Sequence, residues 1–384
     1  MINDAKYDAV VIGLGIMGSA TLFHLAKSGL KVLGIEARGP THVSGSSHGD
    51  TRIFRRAYWE GAHYVPLLNR AMDGWLALNE MAAGEVCHRT GGLFLGPPSS
   101  SLVSRSLLTA RECGIDHEAL DAAEIRSRFP AFDPGDGMVG VFEPDALMLF
   151  ADNGRLAFIQ AAVEAGASVL YGEEIATLRR SGPDSLVLSG DGFSVHCARA
   201  VVTAGPWLPR LLPEDLSAVL QPRRIPIFWF DPLPGDASQF VVDRFPLFLL
   251  ETPDGSLIYG LPKWRDVNSG VKIGFHNKQL SEIDLDLRRE PPTKEERDTL
   301  WMAFNPTLPG IGRRATGKSC VYTMTPDEDF VIGRSDFIEG VVYASACSGH
   351  GFKFAPSIGE ALAQLAMEGR SDLDLESFSI TRFR

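Results

Sequence analysis

Tyr7-Asp8-Ala9-Val10-Val11-Ile12 runs straight into Gly13-Leu14-Gly15-Ile16-Met17-Gly18, and the reading of this stretch decides the fold. The first six residues read as a buried strand. The glycines form a turn, and Leu22, Leu25 and Ala26 continue it as a helix that ends at Gly29. A second apolar run, Val32 to Ile35, closes on Glu36. Strand, glycine turn, helix, strand and acid follow one another in the order a dinucleotide-binding βαβ unit requires. Gly13 permits the tight turn, Gly15 lets the backbone approach a pyrophosphate, and Gly18 lets the helix lie close to the strand. The helix N-terminus then turns unpaired N–H groups and a partial positive charge toward the phosphates. Glu36, eighteen residues past Gly18, stands where a carboxylate accepts hydrogen bonds from a ribose diol.

The remaining bulk properties narrow the class. A chain of 384 residues buries a large core and is expected to hold two domains. A formal net charge of −11 argues against nucleic acid or an anionic membrane as partner. The apolar runs are strand-sized and broken by Gly or Pro, so no membrane span is expected. The first strand is expected to begin by about Tyr7, so no signal peptide is expected. Five scattered cysteines, Cys87, Cys113, Cys197, Cys320 and Cys347, suggest neither a disulfide framework nor a zinc cluster, and no metal is expected. That usage fits a reducing cytoplasm.

Beyond Glu36 the chain carries a polar loop, Ser44 to Arg52, followed by Arg55 and Arg56. Such a loop suits a second approach to a cofactor, or is simply solvated. Val65 to Met81 is helical, with Leu67, Leu68, Ala71, Trp75 and Leu78 on a buried face. Strands are expected at Cys87 to Pro97 and Met138 to Phe142, with helices near 101–113 and 122–128 between them. A helix from Asp152 to Gly166 follows, then strands near Val169, Ile175, Leu186 and Val195. Val201 to Trp207 ends a strand on the small-residue turn Ala204-Gly205, a further place for backbone to lie against a flat or charged ligand. Residues 221–319 read as an antiparallel region with strands at 224–230, 247–251, 257–261 and 271–275 and a charged helix, Thr293 to Phe304. Strands at 330–333 and 341–344, the loop Ser348-Gly349-His350-Gly351 and a helix from Pro356 to Met367 return to the α/β style. A simple N-terminal nicotinamide domain has no need of these last elements. A flavin dinucleotide domain does.

Two pattern matches are set aside. Gly312 to Ser319 fits GxxxxGK[ST], but that loop must follow a buried strand and open a helix, and here the next residues are strand-like. Gly45-Ser46-Ser47-His48-Gly49 fits GxSxG without the strand and helix that a nucleophile elbow needs.

Five segments then recur together: Ser47-His48-Gly49-Asp50-Thr51-Arg52 with Arg55; Val271-Lys272-Ile273-Gly274 with His276; Ser319-Cys320-Val321-Tyr322-Thr323; Pro326-Asp327-Glu328-Asp329-Phe330; and Ser348-Gly349-His350-Gly351-Phe352-Lys353-Phe354. From Tyr7 to the C-terminus the chain resembles the monomeric sarcosine oxidase and N-methyltryptophan oxidase family. The resemblance implies a monomeric flavoprotein that oxidises secondary amino acids by hydride transfer to flavin N5, with imine hydrolysis and release of hydrogen peroxide. It implies FAD bound through a thioether at Cys320. It also implies that Arg52 and Lys353 hold the substrate carboxylate, that Lys272 activates oxygen, and that His276, His48 and Tyr259 are active-site positions. The expected cofactor contacts are Gly13, Gly15, Ile16, Met17 and Gly18 at the first turn, then Glu36, Ala37, Thr51 and Arg52. Ile175, Ala204, Gly205 and Trp207 follow, with Cys320, Gly349, Gly351, Phe352 and Lys353 from the last third.

Physical chemistry runs beside this. Two cations from distant segments suit a carboxylate and a reduced, anionic flavin, and a planar fork and a point charge are not duplicates. A positive neighbourhood favours the thiolate that forms the flavin bond. Taken alone, Cys320 reads more often as a small buried hydrophobe, and His276 on a strand reads usually as an ordinary surface or core histidine. Lys272, inside an apolar strand, is unusual on its own account because a buried unpaired cation is costly. The chain departs from the family at Ser47 and Arg56, where histidines are common. Phe248-Leu249-Leu250 and Pro262-Lys263-Trp264-Arg265 are expected to border the substrate side chain, and their bulk and charge argue against sarcosine itself.

The expected fold combines an α/β, Rossmann-type FAD domain (residues 1–85, 150–210 and 320–384) with an α+β, antiparallel-sheet substrate domain (residues 86–149 and 211–319). Three other readings stay open: a flavin dehydrogenase passing electrons to a carrier, a non-catalytic flavin-binding protein, and a nicotinamide dehydrogenase.

Overall fold

In the computed structural model, which describes residues 5–264 and 270–384, β1 (Ala5–Ile12) leads through a turn into α1 (Ile16–Lys27) and β2 (Val32–Glu36). β1 pairs in parallel with β2 and with the strand Phe193–Val202. Ser168–Tyr171 extends the sheet beyond β2, and Val341–Ser345 pairs in parallel beyond Phe193–Val202. The pairs Thr177–Gly182/Ser185–Gly190 and Val331–Arg334/Val341–Ser345 are antiparallel. The result is an eight-stranded mixed sheet. On one face it buries α1 and the helices Val65–Met81, Ala151–Glu164 and Ala355–Glu368, with Leu22, Trp75, Phe158 and Leu362 in contact. β2 is buried at every position, which is why its residues show no polar alternation. Gly18 is required here because a Cβ would stand 1.9 Å from the Gly13 carbonyl oxygen.

A second, nine-stranded sheet is built from residues 92–143 and 221–324 and is antiparallel except where Gly92–Gly96 meets Leu247–Glu251. Its core is aromatic, with Phe132 stacked on Phe245 at 4.9 Å and Phe230 set edge-on to Phe304 at 5.0 Å. The helix Lys294–Phe304 begins with a capping box between Thr293 and Glu296. A small sheet of Thr51–Phe54, Leu147–Phe150 and Cys87–Arg89 joins the two bodies.

Some boundaries differ from the sequence reading. Gly312 to Ser319 lies within one long strand, Ile311–Met324, so the phosphate-loop pattern is a strand that pairs with Gln221–Pro232 along its length. That strand crosses the division expected at residue 320. Likewise Leu147–Phe150 crosses the one at 150. Ile175 lies in the connection before Thr177–Gly182 rather than in a strand.

Candidate active site

A single long cavity runs from the glycine turn of β1–α1 to the inner face of the second sheet. At its first end Gly13, Gly15, Ile16, Met17, Glu36 and Ala37 line it. Gly18 does not, being buried behind the turn against Gly13 and Thr203. The Glu36 carboxylate accepts the N–H groups of Leu14 (2.8 Å) and Arg38 (3.0 Å), with His42 at 3.6 Å. Its remaining lone pairs are available to the cavity. The first turn of α1 carries no acidic residue, and the Ile16 N–H is met by the Ser47 hydroxyl at 3.0 Å. Ser47, a departure from the family within the polar loop Ser44 to Arg52, is therefore part of the cradle. Farther along, Thr51, Ile175, Ala204, Gly205 and Trp207 line the walls, then Cys320, Gly349, Gly351 and Phe352.

The charged groups separate into two sets. In the first, Lys272 is 3 % exposed, and its Nζ donates to the carbonyls of Gly49 (2.7 Å) and Thr51 (2.5 Å). Burial, and then the Arg52 charge, hold its pKa well below the ordinary lysine value. Arg52 itself donates Nη1 to Thr51 O (2.8 Å) and Gly49 O (3.4 Å), and Nη2 to Ser46 O (2.8 Å) and His48 O (2.5 Å). All four Nη protons are thus spent on loop carbonyls. The sequence reading expects Arg52 to hold a carboxylate; in this structure its fork is engaged by the carbonyls of its own loop, which it orders. Cys320 is buried beside this set, its Sγ 4.0 Å from Ser46 O, with Lys272 and Arg289 as charged neighbours. His48 does not line the cavity. Its Nε2 faces Arg289 Nη1 at 3.2 Å, and burial, reinforced by the surrounding cations, lowers its pKa to about 3. Arg289 also donates to the carbonyls of Val43, Ser44 and Ser319, tying the loop to the strand that carries Cys320.

The second set was only partly legible. Lys353 is buried, and its Nζ donates to His350 O at 2.5 Å and to the Tyr58 hydroxyl at 3.2 Å. The charges acting on it are Arg55 and Glu60, not Arg52; burial and then Arg55 lower its pKa to about 7. Arg55 is 3 % exposed and grips Glu60 with Nη2 at 2.6 and 2.7 Å. Although burial opposes it, this grip, aided by His350 and Lys353, brings Glu60 down to about 2. Both line the cavity. His276 lines it too, its pKa lowered to about 4 chiefly by burial, so the ring is neutral. Tyr259 and Tyr322 also line the cavity, near Arg52 and Cys320, with the Tyr322 ring 6.4 Å from that of His276. Burial pushes Tyr259 up to about 12. Gly349 faces them at φ +80°, and a Cβ there would meet Tyr322 at 2.7 Å and His276 at 3.2 Å. This glycine leaves the gap open.

The expected substrate-side residues divide. Leu249 lines the cavity with Ile53, Ile227 and Leu261, whereas Phe248 and Leu250 point into the aromatic core on the other face of their strand. Trp264 packs against Phe150 (4.7 Å) and His88 (5.0 Å), away from the cavity. Arg265 lies outside the described residues.

Among the described residues, five cavity-lining side chains hold buried polar atoms with no partner: His42 Nδ1, Ser46 Oγ, Arg155 Nη1, Thr323 Oγ1 and Ser345 Oγ. Each such atom costs about 1–3 kcal/mol unless something meets it. Spread along a cavity that begins at a βαβ glycine turn, they fit a long polar ligand, and a flavin dinucleotide supplies the ribose, phosphate and ring atoms to meet them. Among the described residues no group of His, Cys, Asp and Glu is placed to hold a metal, and no helix is long and apolar enough to cross a membrane.

Comparison with known proteins agrees with this geometry. The profile of the FAD dependent oxidoreductase (DAO) family matches residues 8–365. The N-methyl-L-tryptophan oxidase of Salmonella arizonae is 34% identical over 379 residues, covering 98% of this chain and 99% of that protein. That of Yersinia pestis is 34% identical over 383 residues, covering 98% and 100%. Among solved structures, NikD, an unusual amino acid oxidase essential for nikkomycin biosynthesis, superposes in its open form with a TM-score of 0.82 at 23% identity, covering 97% of each chain. The L-proline dehydrogenase of P. horikoshii does so with a TM-score of 0.82 at 21% identity, covering 99% and 98%. With a cavity built for the dinucleotide and a match along nearly its whole length, the chain belongs to the FAD dependent oxidoreductase family, in the group that includes the N-methyl-L-tryptophan oxidases.

Proposed function

We propose that this enzyme is an oxidase of secondary amino acids, N-methyl or similarly N-alkylated, that uses oxygen as acceptor and releases hydrogen peroxide. The observation that carries the reading is the buried group Arg55–Glu60–Lys353 opening on the same cavity as the dinucleotide turn. Arg55 and Glu60 cancel, and a protonated Lys353 leaves one positive charge in a desolvated site. An amino acid carboxylate neutralises it. Glu60 occupies Arg55 Nη2, while Nη1 holds only a long bond to Ala57 O at 3.4 Å. The carboxylate is then received by Lys353 and the remaining edge of Arg55.

FAD, when bound, would supply the two-electron redox chemistry that links oxidation of the amine to oxygen. The residues that would hold it are those of the glycine turn, Glu36, Ser46, Ser47, Thr323 and Ser345, with Cys320 as the covalent anchor. His276, kept neutral by burial, offers a ring nitrogen to the substrate amine instead of a repelling charge. Tyr259 and Tyr322, both held protonated by burial, line the cavity with His276 and would offer hydroxyl groups to the substrate. Lys272 serves oxygen. The uncharged wall of Ile53, Ile227, Leu249 and Leu261 suits an apolar substituent, and the names of the N-methyl-L-tryptophan oxidase relatives favour an N-methyl group. On this reading the eight-stranded sheet belongs to the FAD domain and the nine-stranded sheet to the substrate domain. A single chain in the cytoplasm is the working unit.

A peroxide-coupled screen of N-methyl amino acids, cyclic imino acids and glycated amino acids, each beside its decarboxylated analogue, tests the proposal. Turnover confined to carboxylate-bearing secondary amines is expected. Equal turnover of the decarboxylated amines, or peroxide from none of the panel, overturns it.

A further inference from the structure

Beneath the carboxylate site lies a tyrosine that does not touch the cavity. Tyr58 is fully buried, absent from the cavity lining, and packed against Tyr64 at 5.2 Å and edge-on to Phe354 at 5.6 Å. Its backbone carbonyl accepts the Thr109 hydroxyl at 3.0 Å. The Arg55 guanidinium stands over its ring, 4.2 Å from the centroid. Lys353 Nζ lies 5.0 Å from the same centroid and 3.2 Å from its hydroxyl. Both cations of the proposed carboxylate site therefore rest on one side chain.

The direction of the hydroxyl is fixed as well. His350 Nε2 lies 3.0 Å from the Glu328 carbonyl oxygen. A carbonyl only accepts, so Nε2 carries the proton and Nδ1 is bare. Nδ1, 2.7 Å from the Tyr58 hydroxyl, must then receive the tyrosine proton. Both Tyr58 lone pairs are left for Lys353. The imidazole is held in this role by stacking on Phe330 at 4.7 Å, and burial keeps it neutral.

We propose that Tyr58, oriented by His350, is the positioning residue of the carboxylate site, holding Arg55 on its ring face and the ammonium form of Lys353 on its hydroxyl oxygen. The inference rests on the reading that Arg55 and Lys353 receive the substrate carboxylate. The groups that face Lys353 are Arg55, which opposes its charge, Glu60, which favours it, and the neutral rings of His276 and His350. Against burial and Arg55, the Tyr58 oxygen and the His350 carbonyl are the acceptors that keep the amine charged. Removing the oxygen lowers the pH at which Lys353 loses its proton, and with it the pH at which the site loses carboxylate affinity.

The test is calorimetric titration of the holoenzyme with benzoate, a carboxylate with no oxidisable carbon beside nitrogen. It is run from about pH 6 to about pH 9, a span that brackets the Lys353 pKa of about 7. In the wild type, affinity falls as pH rises through that region. Tyr58→Phe keeps the ring and is expected to move the midpoint down by about one unit, which is about a tenfold loss of affinity on the alkaline side. Lys353→Met is expected to bind weakly at every pH. His350→Leu frees the tyrosine proton to turn toward Lys353, should move the midpoint the same way, and carries the test if Tyr58→Phe does not accumulate. A Tyr58→Phe midpoint equal to wild type, with or without a uniform loss of affinity, overturns the positioning role while a weakened Lys353→Met leaves the carboxylate reading standing. Wild-type benzoate affinity in Lys353→Met overturns that reading itself.

Discussion

Lys272→Met removes the one charge that the account assigns to oxygen. Lys272 is the second residue of the strand Val271–Phe275 and is 3 % exposed; the bonds from its Nζ go to the carbonyls of Gly49 and Thr51. Its charge is thus held by dipoles and remains available to a negative charge developing in the cavity. A cation about 4 Å from that charge, at an effective dielectric near 20, contributes about 4 kcal/mol. At 1.36 kcal/mol per decade this is on the order of a thousandfold in rate. Arg52 stays close by in the variant, which reduces the expected loss to roughly two to three orders of magnitude. Enzyme reduced anaerobically by substrate is mixed with oxygenated buffer in a stopped-flow instrument, and reduction is measured separately without oxygen. Reoxidation should slow by that factor while reduction changes little. The pH dependence adds a second arm. Burial holds the Lys272 pKa well below the ordinary value of 10.5, so its charge is present at lower pH and lost as pH rises through the depressed value. Wild-type reoxidation should therefore slow with rising pH below the usual lysine range, and the variant should be flat there. Slow reduction with normal reoxidation would refute the assignment and move Lys272 to the substrate side.

Other consequences are as direct. Cys320→Ser should release its flavin on acid precipitation, whereas wild-type precipitate stays yellow; colour washing out of the wild type contradicts the thioether. Lys353→Met should lose about 2–4 kcal/mol, or roughly 30- to 1000-fold in kcat/KM for amino acids, since a charge-assisted bond disappears from a desolvated site. Arg55→Met should lose a similar factor, and Arg52→Met should lose less in carboxylate affinity while flavin content falls, because Arg52 ties together the loop at Ser46, His48, Gly49 and Thr51; calorimetry with benzoate and flavin absorbance per protein distinguish them. Glu60→Gln removes the anion that favours the Lys353 charge, so the loss of benzoate affinity with rising pH should begin at lower pH than in wild type; an unchanged profile shows that Glu60 does not face Lys353.

The cofactor end of the cavity was legible because its chemistry is local. Gly13 to Gly18 and Glu36 act through one turn, one helix and the next strand, and each contact lies within a short span of chain. The substrate end depends on long-range placement. Arg52 and Arg55 stand three residues apart on one segment, are the same residue type and both line the cavity. Nothing in their order tells which fork is consumed by the carbonyls of its own loop and which faces Lys353. Glu60 carries no signal at all, since its meaning comes from the 2.6 and 2.7 Å contacts with Arg55. The link between Tyr58 and His350 was invisible for the same reason, since it crosses 292 residues of chain. The alternation of Phe248, Leu249 and Leu250 could have separated cavity from core, because successive strand residues face opposite sides. Which face was which required the second sheet.

The central claim is that one cavity brings an amino acid's amine to FAD while Arg55 and Lys353 hold its carboxylate. Anaerobic mixing of the purified enzyme with N-methyl-L-tryptophan, followed by the flavin absorption band, tests it most directly. The account predicts that the band bleaches at a rate that saturates with substrate, and that N-methyltryptamine, the same amine without its carboxylate, bleaches it slower by roughly the 30- to 1000-fold expected for a lost charge-assisted bond. Equal bleaching by both amines would contradict the carboxylate site. An absent band, or one that no secondary amino acid bleaches, would contradict the function.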